Sequence, residues 1–222
     1  MSFTKFTLAN IRASVGRKLD DPSFDVATID EAANDFQFEL FNDNRIRFME
    51  KNVQLEVLAN ATSKDLPTDF MTLINLIVAG RNITKTGYIS YDDFMQNNPS
   101  YATVSPQSIN EWTFFGEGIR FAGPVDVSST LSVDYMRSPA VMTLATDTCE
   151  LPINCRELMT LGTLVRVMEI NEDFNEANDQ RDKLDSLRTA FIRNYGRGGE
   201  KTGPQIIKTN RVKARGWTAG DF

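Results

Sequence analysis

Apolar and polar positions alternate with two different periods along this chain, and the period changes twice. Leu8, Ile11, Val15 and Leu19 recur at three and four residues and so share one helical face, which predicts a helix over 8–19 stopped by Asp21-Pro22. A second helix begins at Thr28-Ile29-Asp30-Glu31, which fits a capping box. It carries Ile29, Ala33, Phe36 and Leu40 in one stripe, widened by Phe38 and Phe41, and ends near Asn42-Asp43-Asn44.

The middle of the chain has a period of two. Val53, Leu55 and Val57 alternate within 50–58, and 71–79 is rich in branched apolar residues. Gly80-Arg81-Asn82 turns the chain. Tyr91-Asp92-Asp93-Phe94-Met95 reads as one short helix, and 97–107 as a loop. Strands are predicted over 109–115, 118–122 and 130–137, the first two joined by a tight turn at Gly116-Glu117-Gly118.

Helical spacing then returns. Leu158, Leu161, Val165 and Met168 lie on one face of 153–170. Phe174, Ala177, Leu184, Leu187, Phe191 and Tyr195 line 171–195, with Gly196 at the position of a C-terminal cap. An apolar stripe left in water costs about 25 cal/mol per Å². The terminal helices (1–45 and 153–195) are therefore expected to pack as an antiparallel bundle, with a small antiparallel β domain (50–139) inserted between them. The fold class is α+β, with a body over 1–195.

The segment 196–222 departs from this pattern. It is Gly-rich and nearly free of apolar residues. Arg197, Lys201, Lys208, Arg211, Lys213 and Arg215 stand against Glu200 and Asp221, with Trp217 and Phe222 isolated near the end. Such a stretch cannot bury enough apolar surface to offset its ordering entropy, so it reads as an extended basic arm. Isolated aromatics make good anchors in a partner's pockets, and a fully extended arm reaches on the order of 80 Å. The other readings are a solubilising tail and electrostatic contact with phosphates.

Composition narrows the chemistry. The chain has 222 residues, 30 acidic and 24 basic, for a net charge of -6, so a basic coat for nucleic acid over the whole surface is excluded. There is no histidine, which removes His-based acid–base catalysis, Ser-His-Asp and Cys-His nucleophiles and the usual His-containing zinc sites. Cys149 and Cys155 are too few for a structural zinc site and read as reduced thiols. The first residues lack the apolar run of a signal peptide and no segment is long enough to span a membrane. The expected setting is a cytosol, or a particle assembled there, without membrane contact.

Three local features were weighed for chemistry. Glu169, Asp173 and Glu176 share a helical face and Asp92-Asp93 form a second acidic spot, but solvated helix surface explains them better than a metal site. Gly116-Glu117-Gly118 and Gly196-Arg197-Gly198-Gly199 do not fit a phosphate-cradling loop. Trp112, Phe114, Phe115 and Phe121 could stack on nucleic-acid bases, but strand alternation already explains them as sheet core. No catalytic, cofactor or metal site is assigned, and the protein is read as non-enzymatic.

In order, the blocks resemble a family of tailed-bacteriophage head-to-tail adaptor (connector) proteins. The resemblance rests on the Phe6-Thr7-Leu8-Ala9-Asn10-Ile11-Arg12 opening with its Leu19-Asp20-Asp21-Pro22 end, and on the second helix after a short loop. It rests further on Leu66-Pro67-Thr68-Asp69-Phe70 before a strand, Ile119-Arg120-Phe121-Ala122-Gly123-Pro124, Leu131-Ser132-Val133-Asp134-Tyr135-Met136-Arg137-Ser138-Pro139, and the closing helical hairpin with its tail. Met136 stands where that family's strand has a second Tyr, and the loop 146–150 replaces a longer one. The resemblance implies a structural virion protein of the neck: a homo-oligomeric, commonly dodecameric ring beneath the portal protein. A tail or nozzle protein lies on its far side, and genome DNA passes through the channel on ejection. It also implies portal binding by the C-terminal arm, through Arg197, Lys201, Lys208, Arg211, Lys213, Arg215, Trp217 and Phe222. The alternative is a nucleic-acid-binding module acting through the same arm.

Overall fold

The computed structural model describes residues 4–20, 24–42 and 44–196. Helix α1 (Leu8–Leu19) has the bounds its periodicity predicts, with Leu8, Ile11 and Val15 buried. Thr7 and Asn10 close a reciprocal capping box at its start, and Asp20 ends it in the left-handed region at φ 53°. The remaining orphan N–H groups of the first turn find acceptors elsewhere: Leu8 donates to the Asp147 carbonyl (2.8 Å) and Ala9 to that of Ala145 (3.0 Å).

Helix α2 (Val26–Asn42) starts two residues before the capping box expected at Thr28. Asp25 supplies the cap: its carboxylate accepts from the N–H groups of Ala27 (3.2 Å) and Thr28 (3.1 Å) and from the Thr28 hydroxyl (2.7 Å). A carboxylate is the stronger acceptor at a helix N-terminus, so Thr28 becomes a donor in the first turn. The same three bonds, that from the Thr28 hydroxyl first, lower the Asp25 pKa.

The strands are β1 (Glu50–Val57), β2 (Ser63–Asp65), β3 (Phe70–Val78), β4 (Arg81–Asn82), β5 (Trp112–Phe115), β6 (Gly118–Phe121) and β7 (Ser129–Arg137), and α3 (Tyr91–Asn97) is the short helix. They form two antiparallel sheets, ordered β1-β7-β3-β4 and β2-β6-β5. Strand β5 begins at Trp112, not at Ile109 as the pattern suggests. Trp112 donates its N–H to the Gly87 carbonyl, and its indole donates to the Ile83 carbonyl at 2.9 Å, both outside the sheet. Gly116 turns β5 into β6 at φ 58°, a conformation glycine adopts without strain.

Leu131, Val133 and Tyr135 of β7 face one core, with Leu76, Val78, Trp112, Ile119 and Phe121. On the opposite face, Asn52, Gln54, Ser132, Asp134 and Asn75 form a side-chain hydrogen-bond ladder. Two register shifts in β3, between Phe70 and Thr72 and between Leu73 and Asn75, turn Met71 and Ile74 toward a second core.

That second core is helical. Helices α4 (Arg156–Ile170) and α5 (Phe174–Tyr195) join α1 and α2, and α4 packs against all three. The sequence predicts a single apolar stripe on α4. In the structure Thr160, Gly162, Thr163 and Leu164 are buried as well, because a helix with neighbours on three sides has little solvent face. Gly162 lets the Phe36 ring approach closely: a Cβ there would lie 2.2 Å from it. Helix α5 starts at Phe174 rather than Asn171, and Phe174, expected in the stripe, is 55% exposed.

Candidate interaction surface

The eight arm residues singled out above (Arg197, Lys201, Lys208, Arg211, Lys213, Arg215, Trp217 and Phe222) lie outside the described residues. The point from which the arm departs is described in full. Phe41, Phe48, Phe191 and Tyr195 form an aromatic cluster at the end of α5, in which Phe48 meets the other three edge-to-face. The Tyr195 hydroxyl accepts from the Asn154 amide (2.8 Å) and donates to its carbonyl (3.1 Å). Gly196 caps the helix as its position suggests, but in extended rather than left-handed backbone, at φ -75° and ψ 155°. It donates to the Ile192 carbonyl at 2.8 Å and forms an antiparallel bridge to Ile46. The glycine is needed for closeness: a Cβ would sit 2.6 Å from the Ile192 oxygen.

The loop 138–153 fastens the helices from the other side. Gln37, fully buried on α2, accepts from the Glu150 N–H (3.0 Å) and the Cys149 thiol (3.2 Å) and donates to the Ala140 carbonyl (3.2 Å). Asn34 exchanges two bonds with the backbone of Met142. Glu150 takes a two-pronged contact from Arg137 (2.9 Å for each) and one from Lys5 (2.7 Å). Burial alone would raise its pKa, but the two cations outweigh that and hold it below the ordinary value. Cys149 and Cys155 are free and buried. Desolvation drives their pKa values up to about 12 and about 11, so neither is a poised nucleophile.

Three bases of α5 are ion-paired to neighbouring helices. Arg181 pairs with Glu169 (2.5 Å), Lys183 with Glu157 (2.6 Å) and Arg188 with Glu39 (3.0 Å), and Arg166 also meets Glu39. These pairs draw the bases toward α2 and α4. Glu176, Asp179, Asp182 and Asp185 are exposed on the same helix, with Lys183 one turn from Asp179 and Arg188 three residues from Asp185. The acidic helix-turn residues weighed for metal are not gathered into a site: Glu169 is ion-paired, Asp173 precedes the first turn of α5, and no group of three ligating residues occurs among the described residues.

The aromatic strands divide likewise. Trp112 and Phe121 are each 1% exposed and are core. Phe115 is exposed, but the Arg120 guanidinium lies 3.6 Å from its ring centroid and Tyr91 stacks on it at 5.1 Å. No open stacking platform results. A groove of about 670 Å³ lies between the start of β3 and the β5–β6 turn, lined by Leu66, Pro67, Phe70, Leu73, Phe114 and Glu117, among others. Sequence reasoning did not single it out, because it joins segments some fifty residues apart, each reading as ordinary core.

The SU10 adaptor protein family model matches residues 6–205, through both cores and into the start of the arm. The chain belongs to the SU10 adaptor protein family. The resemblance to phage head-to-tail adaptors is thereby shown, and the protein is a structural adaptor of a phage particle, a class defined by assembly rather than catalysis. No curated protein matches the chain. Among the described residues no helix is long and apolar enough to cross a membrane.

Proposed function

We propose that this adaptor forms a ring between portal and tail, through which the genome passes, and that residues 197–222 grip the portal. The helices form the ring body as a bundle, and the strand-rich middle is a domain inserted into it. The observation that carries this reading is the family match over residues 6–205, which spans body and arm root together.

Two features support it. Gly196 is held to the body by its bridge to Ile46 and by the Tyr195 cluster beside it, which gives the arm a fixed root. The net charge of -6 suits a surface beside DNA that must slide, since like charge keeps phosphates from adhering. Electron microscopy of purified protein mixed with its portal tests the proposal. A stacked ring is expected, and is lost when residues after Gly196 are deleted. Normal attachment of the truncated protein would overturn the role of the arm.

The six bases of the arm favour one further reading, nucleic-acid binding through the arm. It requires DNA affinity that falls steeply with salt and disappears with the arm.

A further inference from the structure

We propose that the groove beside β3 receives residues 205–209 of the arm of a second copy of this chain. The outer edge of β3 is covered only at its end: β4 pairs with Ile77 and Val78, and Ile83 donates to the Leu76 carbonyl. From Met71 to Asn75 no strand flanks that edge among the described residues. The groove reaches the first part of this stretch, at Met71, Thr72 and Leu73. Leu66, Pro67, Phe70, Leu73 and Phe114 line it, each only partly buried. Its volume of about 670 Å³ is within the range that receives ligand-sized groups, roughly 300–1,000 Å³. An extended segment with paired apolar side chains is the occupant this shape accepts, by strand addition or groove filling.

Charge narrows the occupant. Glu117 lines the groove and Asp65 stands beside it, both exposed and without a cation among the described residues, and no base lines the groove. The complement is an extended, apolar and cationic segment. Gln205-Ile206-Ile207-Lys208-Thr209 in the arm has that composition: two β-branched apolar residues, a further β-branched Thr and one base, Lys208, with Lys201 four residues upstream. The described chain ends at Gly196 beside Ile46, in the helical core, while the groove belongs to the strand-rich part. Ten residues of extended chain reach about 33 Å from Gly196, and Trp217 and Phe222 lie beyond the docked segment in sequence. This inference rests on the arm being a docking element; it assigns 205–209 to a second copy and leaves the portal contact proposed above to the residues beyond them.

A photo-cross-linking amino acid at position 207 of the full-length protein tests it, in an equal mixture of isotopically heavy and light chains. Heavy–light products joining position 207 to residues 66–73 or 114–117 are expected. Their yield should fall several-fold in D65K/E117K and recover when K201E/K208E is added. Products within one chain only, products mapping to another surface, no products, or a yield indifferent to charge reversal would each overturn it. Portal attachment is scored separately, so a failure here is distinguishable from failure of the ring proposal.

Discussion

Replacing Gly162 by alanine sets two physical effects of opposite sign against each other. In a helix interior the change gains about 1 kcal/mol of propensity. In this helix the new methyl would lie 2.2–2.3 Å from three atoms of the Phe36 ring, which is itself only 2% exposed. Overpacking of that kind costs about 1–3 kcal/mol, and more where the obstacle is a rigid ring. The overlap here is more than 1 Å inside ordinary contact, so the upper end applies and the net loss is about 1–2 kcal/mol. Urea unfolding followed by far-ultraviolet circular dichroism reads it as a lower midpoint with an unchanged slope. Phe36→Leu has its own cost but makes room, so in the double variant G162A/F36L the two losses should fall short of additive by at least about 1 kcal/mol. A G162A protein as stable as the parent, or additive losses in the double variant, would refute close packing of α2 on α4 at this point.

Three further outcomes follow from the geometry. Gly196→Ala places a methyl 2.6 Å from the Ile192 carbonyl, so it should disturb the arm root while leaving both cores folded; particle attachment should drop with little change in the unfolding midpoint, and a variant that attaches normally would count against the fixed root. Glu150 has a folded pKa below its unfolded value, so its contribution is complete above about pH 4.3 and is lost as pH falls through the folded value; acid titration of stability should show this limb in the parent and a flatter one in Arg137→Gln. Cys149 and Cys155, with pKa values of about 12 and about 11, should resist alkylation at pH 8 in the native protein and react on unfolding; rapid native labelling would contradict their burial.

Elements with one clear face were legible in the sequence. Strands β1, β3 and β7 and helix α1 lie within a residue of their predicted ends, because alternation or helical spacing marks both the element and its buried side. Ser63-Lys64-Asp65 and Arg81-Asn82 could not be read, since they are polar and become strands only through the partners they meet. Helix α4 was read as one-sided because Thr160, Gly162 and Thr163 do not look like core; their burial depends on how many helices surround them, which a single periodicity does not encode. Gln37 was hidden for the same reason, being a polar residue whose acceptor faces a loop over a hundred positions away. Of the aromatic strand residues, Trp112 and Phe121 are core while Phe115 is exposed, and the β3 groove required the fold to bring Phe114 beside Phe70.

The bridge between Gly196 and Ile46 has a mechanical consequence. Ile46 lies four residues before β1, so the tether is rooted where the strand-rich and helical parts of the chain meet. A pull on it meets the Ile46 bridge and the ring cluster before it reaches the hydrogen bonds of α5.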